Sequence, residues 1–296
     1  YWTPDRVWIN DGHGGFDALP ADALNVSSAS SMGVDGTDVD GDGNIDLFVV
    51  DMLSRNPELR KSQQASESMV ANIPSLNGPR FQVNYNTMLL GGGNGRFTDI
   101  SHFAGLEASD WSWCPIFMDV DLDGIDDVLI SAGYPHDMQD SDTLRLIQSR
   151  QHSWDRYASD DARQQAFANE MMEHIRLYPT LEMPMVAFRG KGDGTFEEMT
   201  QSWGTDIHAV HQGFATGDLD GDGDLDLVVN CLNGPARLYR NNASKDRVAI
   251  RLKGRSPNTQ AIGSQITVNH STFKGVTRTL ISGGRYLSGG DTEQGF

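Results

Sequence analysis

The sequence is poor in the features that suit a protein to membranes or to nucleic acid. Its 23 lysines and arginines are outnumbered by 41 aspartates and glutamates, which gives a net charge of −18 at pH 7. So acidic a chain is repelled by phosphate backbones and by anionic lipid headgroups. No apolar run reaches the roughly 20 residues that a transmembrane helix needs. We therefore expect no nucleic-acid partner and no insertion into membranes.

Cysteines and apolar residues are also few. The two cysteines, Cys114 and Cys231, lie beside predicted strands, and we interpret them as small buried hydrophobic residues rather than as a disulfide. Hydrophobic residues make up 38% of the chain, whereas glycine contributes 32 residues. This composition is typical of a β-rich protein with thin cores and many turns. The length of 296 residues allows one large domain or two ordinary ones.

What the sequence has in abundance is aspartate, arranged three times in the pattern D-x-D-x-D-G-x-x-D. An apolar run typical of a buried strand follows each copy, at 47–50, 128–131 and 227–230. We predict that positions 1, 3, 5 and 9 of each loop offer carboxylates to a metal ion and that position 7 offers its backbone carbonyl. The predicted ligands are Asp38, Asp40, Asp42, Asn44 and Asp46; Asp119, Asp121, Asp123, Ile125 and Asp127; and Asp218, Asp220, Asp222, Asp224 and Asp226.

Calcium is the cation that this pattern favours. Carboxylates crowded so closely repel one another, and Ca²⁺ accepts six to eight oxygen ligands in flexible geometry, whereas Mg²⁺ prefers to keep its waters. An EF-hand needs a bidentate glutamate at position 12, but that position holds Val49, Ile130 and Val229. The remaining alternative is three acidic surface turns without metal. The sequence predicts about three calcium ions.

A second motif accompanies the loops. Gly-rich β-hairpins are predicted at 7–16, 88–100 and 186–200, and a short strand precedes each Asp loop. Strand, loop, strand and hairpin together form a four-stranded antiparallel unit, which is the blade of a β-propeller. Three loops, together with a hairpin at 1–17 that resembles the end of an earlier blade, predict about three and a half blades.

Two inserts separate the second and third strands of successive blades, at about 52–84 and 134–184. The first has a helix start at Pro57 and an apolar stripe of Leu59, Met69, Val70 and Ile73. In the second, two helices that end before Pro179 are predicted from Leu144, Ile147, Trp154 and Tyr157, then Phe167, Met171 and Ile175. We interpret both stripes as packing faces against the propeller. Because strands alternate in direction, these inserts emerge on the face opposite the Asp loops.

The search for catalytic chemistry gives weaker signals. His208 and His211 are spaced for a metal on a helix, but no third ligand lies near them in sequence. Trp111 and Trp113 suit either sugar stacking or the core between blades, and the core is favoured. No G-x-S-x-G or H-E-x-x-H motif is present. We therefore predict that the chain is not an enzyme.

The Asp-loop segments resemble FG-GAP/VCBS repeat proteins, in the stretches "GVDGTDVDGDGNIDLFVV", "WCPIFMDVDLDGIDDVLIS" and "GFATGDLDGDGDLDLVVN". The tail "RLKGRSPNTQAIGSQITV…GGRYLSGG" is similar to the ASPIC/UnbV module. This resemblance implies an all-β fold, a calcium-binding β-propeller over residues 1–244, and a truncated ASPIC/UnbV-like β-module over 245–296. It also implies an extracellular or cell-surface location.

The sequence thus predicts a secreted adhesion or ligand-binding module. Its partner would be a protein or a glycan, bound on the face opposite the calcium loops, where variable connections lie on a rigid scaffold. One alternative is a structural subunit of a cell-surface assembly or filament, joined through open blade edges. A further alternative is the accessory propeller of a secreted polysaccharide-active enzyme.

Overall fold

The computed structural model describes residues 4–63, 81–151, 159–269, 276–281, 283, 285–290 and 294–295. The described residues are mostly strands with few helices, which agrees with the predicted all-β class. The strands are β1 (Trp8–Asn10), β2 (Phe16–Ala18), β3 (Ser27–Ser28), β4 (Val34–Thr37), β5 (Asp46–Val49), β6 (Gln82–Val83), β7 (Thr87–Gly91), β8 (Phe97–Asp99), β9 (Ser112–Met118), β10 (Asp127–Ala132), β11 (Val186–Gly190), β12 (Phe196–Glu198), β13 (His211–Gly217), β14 (Asp226–Cys231), β15 (Arg237–Tyr239), β16 (Ala249–Ile250), β17 (Gln265–Val268), β18 (Val276–Thr279), β19 (Gly289–Gly290) and β20 (Gln294–Gly295). The helices are α1 (Pro57–Ser62), α2 (Ser101–Ala104), α3 (Ser141–Gln148) and α4 (Asp160–Ile175).

Three four-stranded sheets contain the predicted repeat. The first sheet has the order β4-β5-β7-β8 and the second has the order β9-β10-β11-β12, with every neighbouring pair antiparallel. In the third sheet β13, β14 and β15 continue the pattern, and β19 pairs in parallel with the free side of β13. Each Asp loop connects the first two strands of its sheet, as predicted. Outside these sheets, β1 pairs with β2, β3 with β6, β16 with β20, and β17 with β18.

The sheets pack face to face around two apolar clusters. The cluster between the first and second sheets includes Phe48, Met88, Val128 and Val186. The cluster between the second and third sheets includes Ile116, Leu129, Met185, Leu227, Cys114 and Cys231, and both cysteines are buried and unpaired, as predicted. Strand β4 contacts β9, and β9 contacts β13, so the strands that precede the Asp loops lie side by side. This arrangement brings the three loops to one end of the sheets.

The inserts are only partly packed. Helix α1 begins at Pro57, as predicted, and Asn56 caps it, because Asn56 Oδ1 accepts from Glu58 N at 2.7 Å. Helices α3 and α4 are present in the second insert. Of the predicted stripe residues, Met69, Val70, Ile73, Trp154 and Tyr157 lie outside the described residues. No helix within the described residues is long and apolar enough to cross a bilayer.

The predicted packing face of α4 is wrong. Phe167 and Met171 were expected against the sheets, but they are 47% and 43% exposed. The buried residues of this helix are Glu170 and His174, whose side chains lie 3.8 Å apart. The buried face of α4 is therefore a polar one, and an apolar stripe remains on its surface.

Residues 285–290 cross the inner strands of all three sheets. Arg285 Nε lies 2.7 Å from the buried Asp35 Oδ2 on β4, and the Tyr286 ring lies 5.1 Å from the Trp113 ring on β9. Ser288 Oγ accepts from Phe214 N on β13 at 2.7 Å, directly before β19 joins the same strand. We name residues 285–290 the axial segment. The C-terminal residues were predicted to form a separate module, yet this segment is part of the packing of the sheets.

Candidate metal centres

The aspartate at position 9 ties each Asp loop to the third strand of its sheet. In the first loop, Asp46 Oδ2 accepts from Val39 N at 2.8 Å and Asp46 Oδ1 accepts from Gly91 N at 2.7 Å. Asp127 and Asp226 make the equivalent pairs of bonds, at 2.8 to 3.0 Å. These three carboxylates are at most 2% exposed. The aspartate at position 9 therefore holds the loop at a fixed position relative to the sheet.

The aspartate at position 1 closes the loop on itself. Asp38 Oδ1 accepts from Asp42 N at 3.0 Å, and Asp38 Oδ2 accepts from Gly43 N at 2.9 Å. Asp119 and Asp218 accept from the equivalent amides of their loops, at 2.9 to 3.1 Å. Since the same carboxylate accepts two successive amides, the backbone of each loop curls around the side chain of position 1.

The backbone of the loops requires left-handed conformations at two positions. The glycines at position 6 have φ values between 85° and 94°. At position 4 the first and third loops have Gly41 and Gly221, whereas the second loop has Leu122 at φ 57°. A leucine rarely adopts this conformation, and Leu122 is 9% exposed, so burial of its side chain offsets the strain. The loop geometry is thus maintained even without glycine.

The structure brings three carboxylates of each loop within 4.8 Å of one another. The grouped residues are Asp38, Asp40 and Asp42; Asp119, Asp121 and Asp127; and Asp218, Asp220 and Asp226. The other predicted ligands fall outside these groups, and metal ligation by either set stays a prediction. They are Asn44 and Asp46 in the first loop, Asp123 and Ile125 in the second, and Asp222 and Asp224 in the third.

Burial makes the charge on these carboxylates costly. Burial, followed by the charges of Asp119 and Asp121, raises the pKa of Asp127 to about 8, although two backbone amides oppose the rise. Burial also raises the pKa of Asp46 and of Asp119 to about 6. A divalent cation among these oxygens would favour the ionised forms and offset the repulsion.

The third loop adds a buried carboxylate without a hydrogen-bond partner. Asp224 is 1% exposed, and neither of its oxygens has a hydrogen bond within the described part of the chain. Its burial and the neighbouring Asp222 raise its pKa to about 6. Asp224 Oδ2 lies 3.8 Å from Arg247 Nη2 and outside the group of Asp218, Asp220 and Asp226. The all-oxygen donor set of that group fits a hard cation such as Ca²⁺.

Sequence reasoning missed the basic residues that contact the loops. Arg189 Nη2 donates to Asp123 Oδ2 at 2.6 Å, and Lys245 Nζ donates to Asp121 Oδ1 at 3.2 Å. In the third loop, Arg240 Nη2 lies 2.5 Å from Asp220 Oδ2. Each of these bases is distant in sequence from its loop. Alignment of the segments that pair with the strand after each Asp loop contained the signal, because Arg189 and Arg240 occupy one repeat position.

Comparison with known proteins agrees with this geometry. Residues 181–229, which run from the end of the second insert into β14, match the family model of the FG-GAP-like repeat. The chain contains an FG-GAP-like repeat. The FG-GAP segment ends within β14, directly after the third Asp loop, so the match includes one complete candidate metal centre.

Two curated relatives share part of the sequence. Cartilage acidic protein 1 of Xenopus tropicalis is 36% identical over 69 residues, which cover 23% of this chain and 11% of that protein. Cartilage acidic protein 1 of Homo sapiens is 38% identical over 69 residues, which cover 23% of this chain and 10% of that protein. The chain therefore matches about a tenth of the length of these relatives, and the FG-GAP likeness carries the functional argument.

The histidines do not form a metal centre among the described residues. His208 is exposed and its Nδ1 lies 2.9 Å from Glu182 O, whereas His211 is fully buried in β13. Neither belongs to a group of three potential ligands within the described ranges. Burial, followed by the charge of Arg237, lowers the pKa of His211 to about 4.

The buried His211 predicts a loss of stability in mild acid. An unfolded histidine has a pKa near 6.5, so the unfolded chain binds an extra proton as the pH falls from 6.5 towards 4. We expect His211→Leu to reduce the drop in melting temperature between pH 7.5 and pH 5 by roughly 2–6 °C. His208→Leu is the control and should keep the full drop. Equal drops in the two variants would contradict a neutral, buried His211.

Trp111 and Trp113 fill space between elements. Trp111 is buried and stacks on Tyr134, with ring centroids 4.6 Å apart and an angle of 8° between the planes. Trp113 lies between Tyr134 and Tyr286, and its Nε1 donates to Gly133 O at 2.7 Å. Because these rings cover one another, they favour the packing interpretation over a sugar platform.

Proposed function

We propose that this chain is a calcium-binding β-propeller segment that acts outside the cell as a ligand-binding or adhesion module and carries no catalytic activity of its own. The observation that carries the proposal is the convergence of three carboxylates within 4.8 Å in each of three equivalent loops. The FG-GAP-like repeat supports an extracellular location, where calcium is abundant enough for such open loops.

The propeller interpretation is supported by the order of strands and sheets. Each sheet begins with an inner strand, and these inner strands, β4, β9 and β13, contact one another in sequence order. Successive sheets also share apolar faces rather than edges. Four-stranded sheets arranged in this way fan out from a common axis, as blades do.

Calcium binding is tested by titrating the protein with Ca²⁺ in a calorimeter after exhaustive chelation. We expect about three sites, and we expect Asp40→Ala, Asp121→Ala and Asp220→Ala each to remove one of them. Each variant deletes one carboxylate of a different loop and leaves the other two loops intact. Binding that is unchanged in all three variants would contradict the assignment, as would the absence of any calcium heat in the wild type.

The face opposite the loops is the proposed ligand surface. The second insert leaves β10 at the end away from its Asp loop, and it carries half-exposed apolar side chains. These are Met138, Leu146, Met171 and Met172, at 39–53% exposure. Exposed methionine and leucine side chains are frequent on surfaces that bind proteins. The aromatic rings of this region stack on one another, so we favour a protein ligand over a glycan.

A second candidate function is a structural subunit of a surface assembly. The hairpin β1–β2 favours it, because Trp8, Ile9 and Phe16 are 51–63% exposed on three-residue strands. Such side chains are normally covered. Light scattering at increasing protein concentration separates the two candidates, since an assembling subunit forms oligomers and a monomeric module does not.

A further inference from the structure

The third strands of the three sheets place one residue at an equivalent position beside each Asp loop. The registers pair Leu47 with Leu89, Val128 with Phe188, and Leu227 with Tyr239. The residues that follow Leu89, Phe188 and Tyr239 are therefore equivalent. They are Leu90, Arg189 and Arg240.

The two arginines contact the same loop positions. Arg189 Nε lies 2.8 Å from Asp121 Oδ2, and its Nη2 donates to Asp123 Oδ2 at 2.6 Å. Arg240 Nη2 lies 2.5 Å from Asp220 Oδ2 and 4.0 Å from Asp222 Oδ2. The guanidinium groups thus contact positions 3 and 5 of their loops, which are two of the predicted metal ligands.

A guanidinium at these oxygens has two opposite effects. Its positive charge neutralises part of the carboxylate repulsion, which stabilises the loop when no metal is bound. The same charge repels a divalent cation that approaches these oxygens. The arginines are 40% and 61% exposed, so solvent screens both effects without abolishing them.

We propose that Arg189 and Arg240 are built-in counter-cations that lower the calcium affinity of their own loops and keep these loops folded without metal. The inference rests on the proposed calcium function and adds its regulation. The first sheet carries Leu90 at this position, a side chain without charge. Since leucine already occupies the equivalent position in the first sheet, arginine-to-leucine is the substitution to test.

The test is calorimetric titration of the full chain with Ca²⁺, combined with melting in chelator. Arg240→Leu and Arg189→Leu should each tighten calcium binding at one site by roughly threefold to thirtyfold. Both should also lower the melting temperature of the chelated protein. The reciprocal change Leu90→Arg should weaken binding at one site, and Arg240→Lys should stay close to the wild type because it keeps the charge.

Two controls make the result specific. Arg145→Leu removes the same charge from an exposed helix, where Arg145 pairs with Asp142 at 3.0 Å, and should change calcium affinity by less than about twofold. The gain in Arg240→Leu should disappear when Asp220→Ala is added, because that loop then loses a ligand. If Arg240→Leu still tightened calcium binding in the Asp220→Ala background, its effect would arise at another loop.

The outcomes separate this inference from the proposed function. If the wild type binds calcium and the arginine variants bind it no more tightly, the inference is wrong and the proposed function stands. If neither the wild type nor the Arg189→Leu/Arg240→Leu double variant binds calcium, both are wrong. If only the double variant binds calcium, the counter-cation role is supported in its strongest form.

Discussion

Chelating divalent cations should lower the melting temperature of this protein by roughly 10 °C. At ~1 mM calcium and a Kd of ~0.1 mM, each of three sites stabilises the native state by about 1.4 kcal/mol, or about 4 kcal/mol together. A chain of this size shifts by about 2–4 °C for each kcal/mol. The physical source is the crowding of aspartates, whose burial raises the pKa of Asp127 to about 8. Scanning calorimetry with EDTA and with excess Ca²⁺ measures the difference.

Adding back Ca²⁺ or Mg²⁺ after chelation identifies the cation that stabilises the protein. Restoring Ca²⁺ after chelation should recover the full melting temperature, whereas equimolar Mg²⁺ should recover less, because it keeps its hydration shell. Sodium chloride at matched ionic strength controls for screening. A melting curve that does not respond to EDTA would refute the metal assignment.

Gly213→Ala should release the axial segment and destabilise the protein by at least about 2 kcal/mol. A Cβ on Gly213 would lie 2.2 Å from the backbone oxygen of Leu287, and a backbone atom cannot yield without moving the segment. Gly217→Ala is the matched control on the same strand, because its Cβ would meet only a Leu219 side-chain carbon at 3.9 Å. Urea unfolding measures both variants. Similar stabilities would show that the segment does not bear on the fold.

The ion pair under the axial segment provides a second route to the same test. Asp35 is 5% exposed, and its burial raises its pKa while Arg285 opposes the rise. Arg285→Met leaves this carboxylate buried without its partner, which costs about 3–5 kcal/mol in comparable pairs. The double variant Arg285→Met/Asp35→Leu should recover part of the loss. No recovery would indicate that Arg285 acts through packing rather than through its charge.

The strands and the Asp loops were predictable because their signals are local. A nine-residue pattern specifies the loop, and the apolar run that follows it specifies the strand. The structure groups positions 1 and 3 of every loop with position 5 in the first loop and with position 9 in the other two, and ligation by these residues stays a prediction.

The features of the fold and of the metal centres that the sequence did not predict depend mainly on contacts between residues far apart in the chain. Arg189 lies 66 residues from Asp123, so no window of sequence around the loop contains it. The predicted packing face of helix α4 was wrong for another reason. Spacing identified a stripe through Phe167 and Met171, whereas the residues of this helix that are buried are Glu170 and His174.

The contact between Asp35 and Arg285 has a consequence for synthesis of the chain. The two residues are 250 positions apart. At a ribosomal rate of ~5–20 residues per second, roughly 12–50 s pass between their emergence. The first sheet therefore emerges well before the arginine that pairs with Asp35, and we expect the Asp35 carboxylate to keep its hydration until Arg285 arrives. Until Arg285 has emerged, the inner strands of the nascent sheets stay exposed to solvent where the axial segment will later pack.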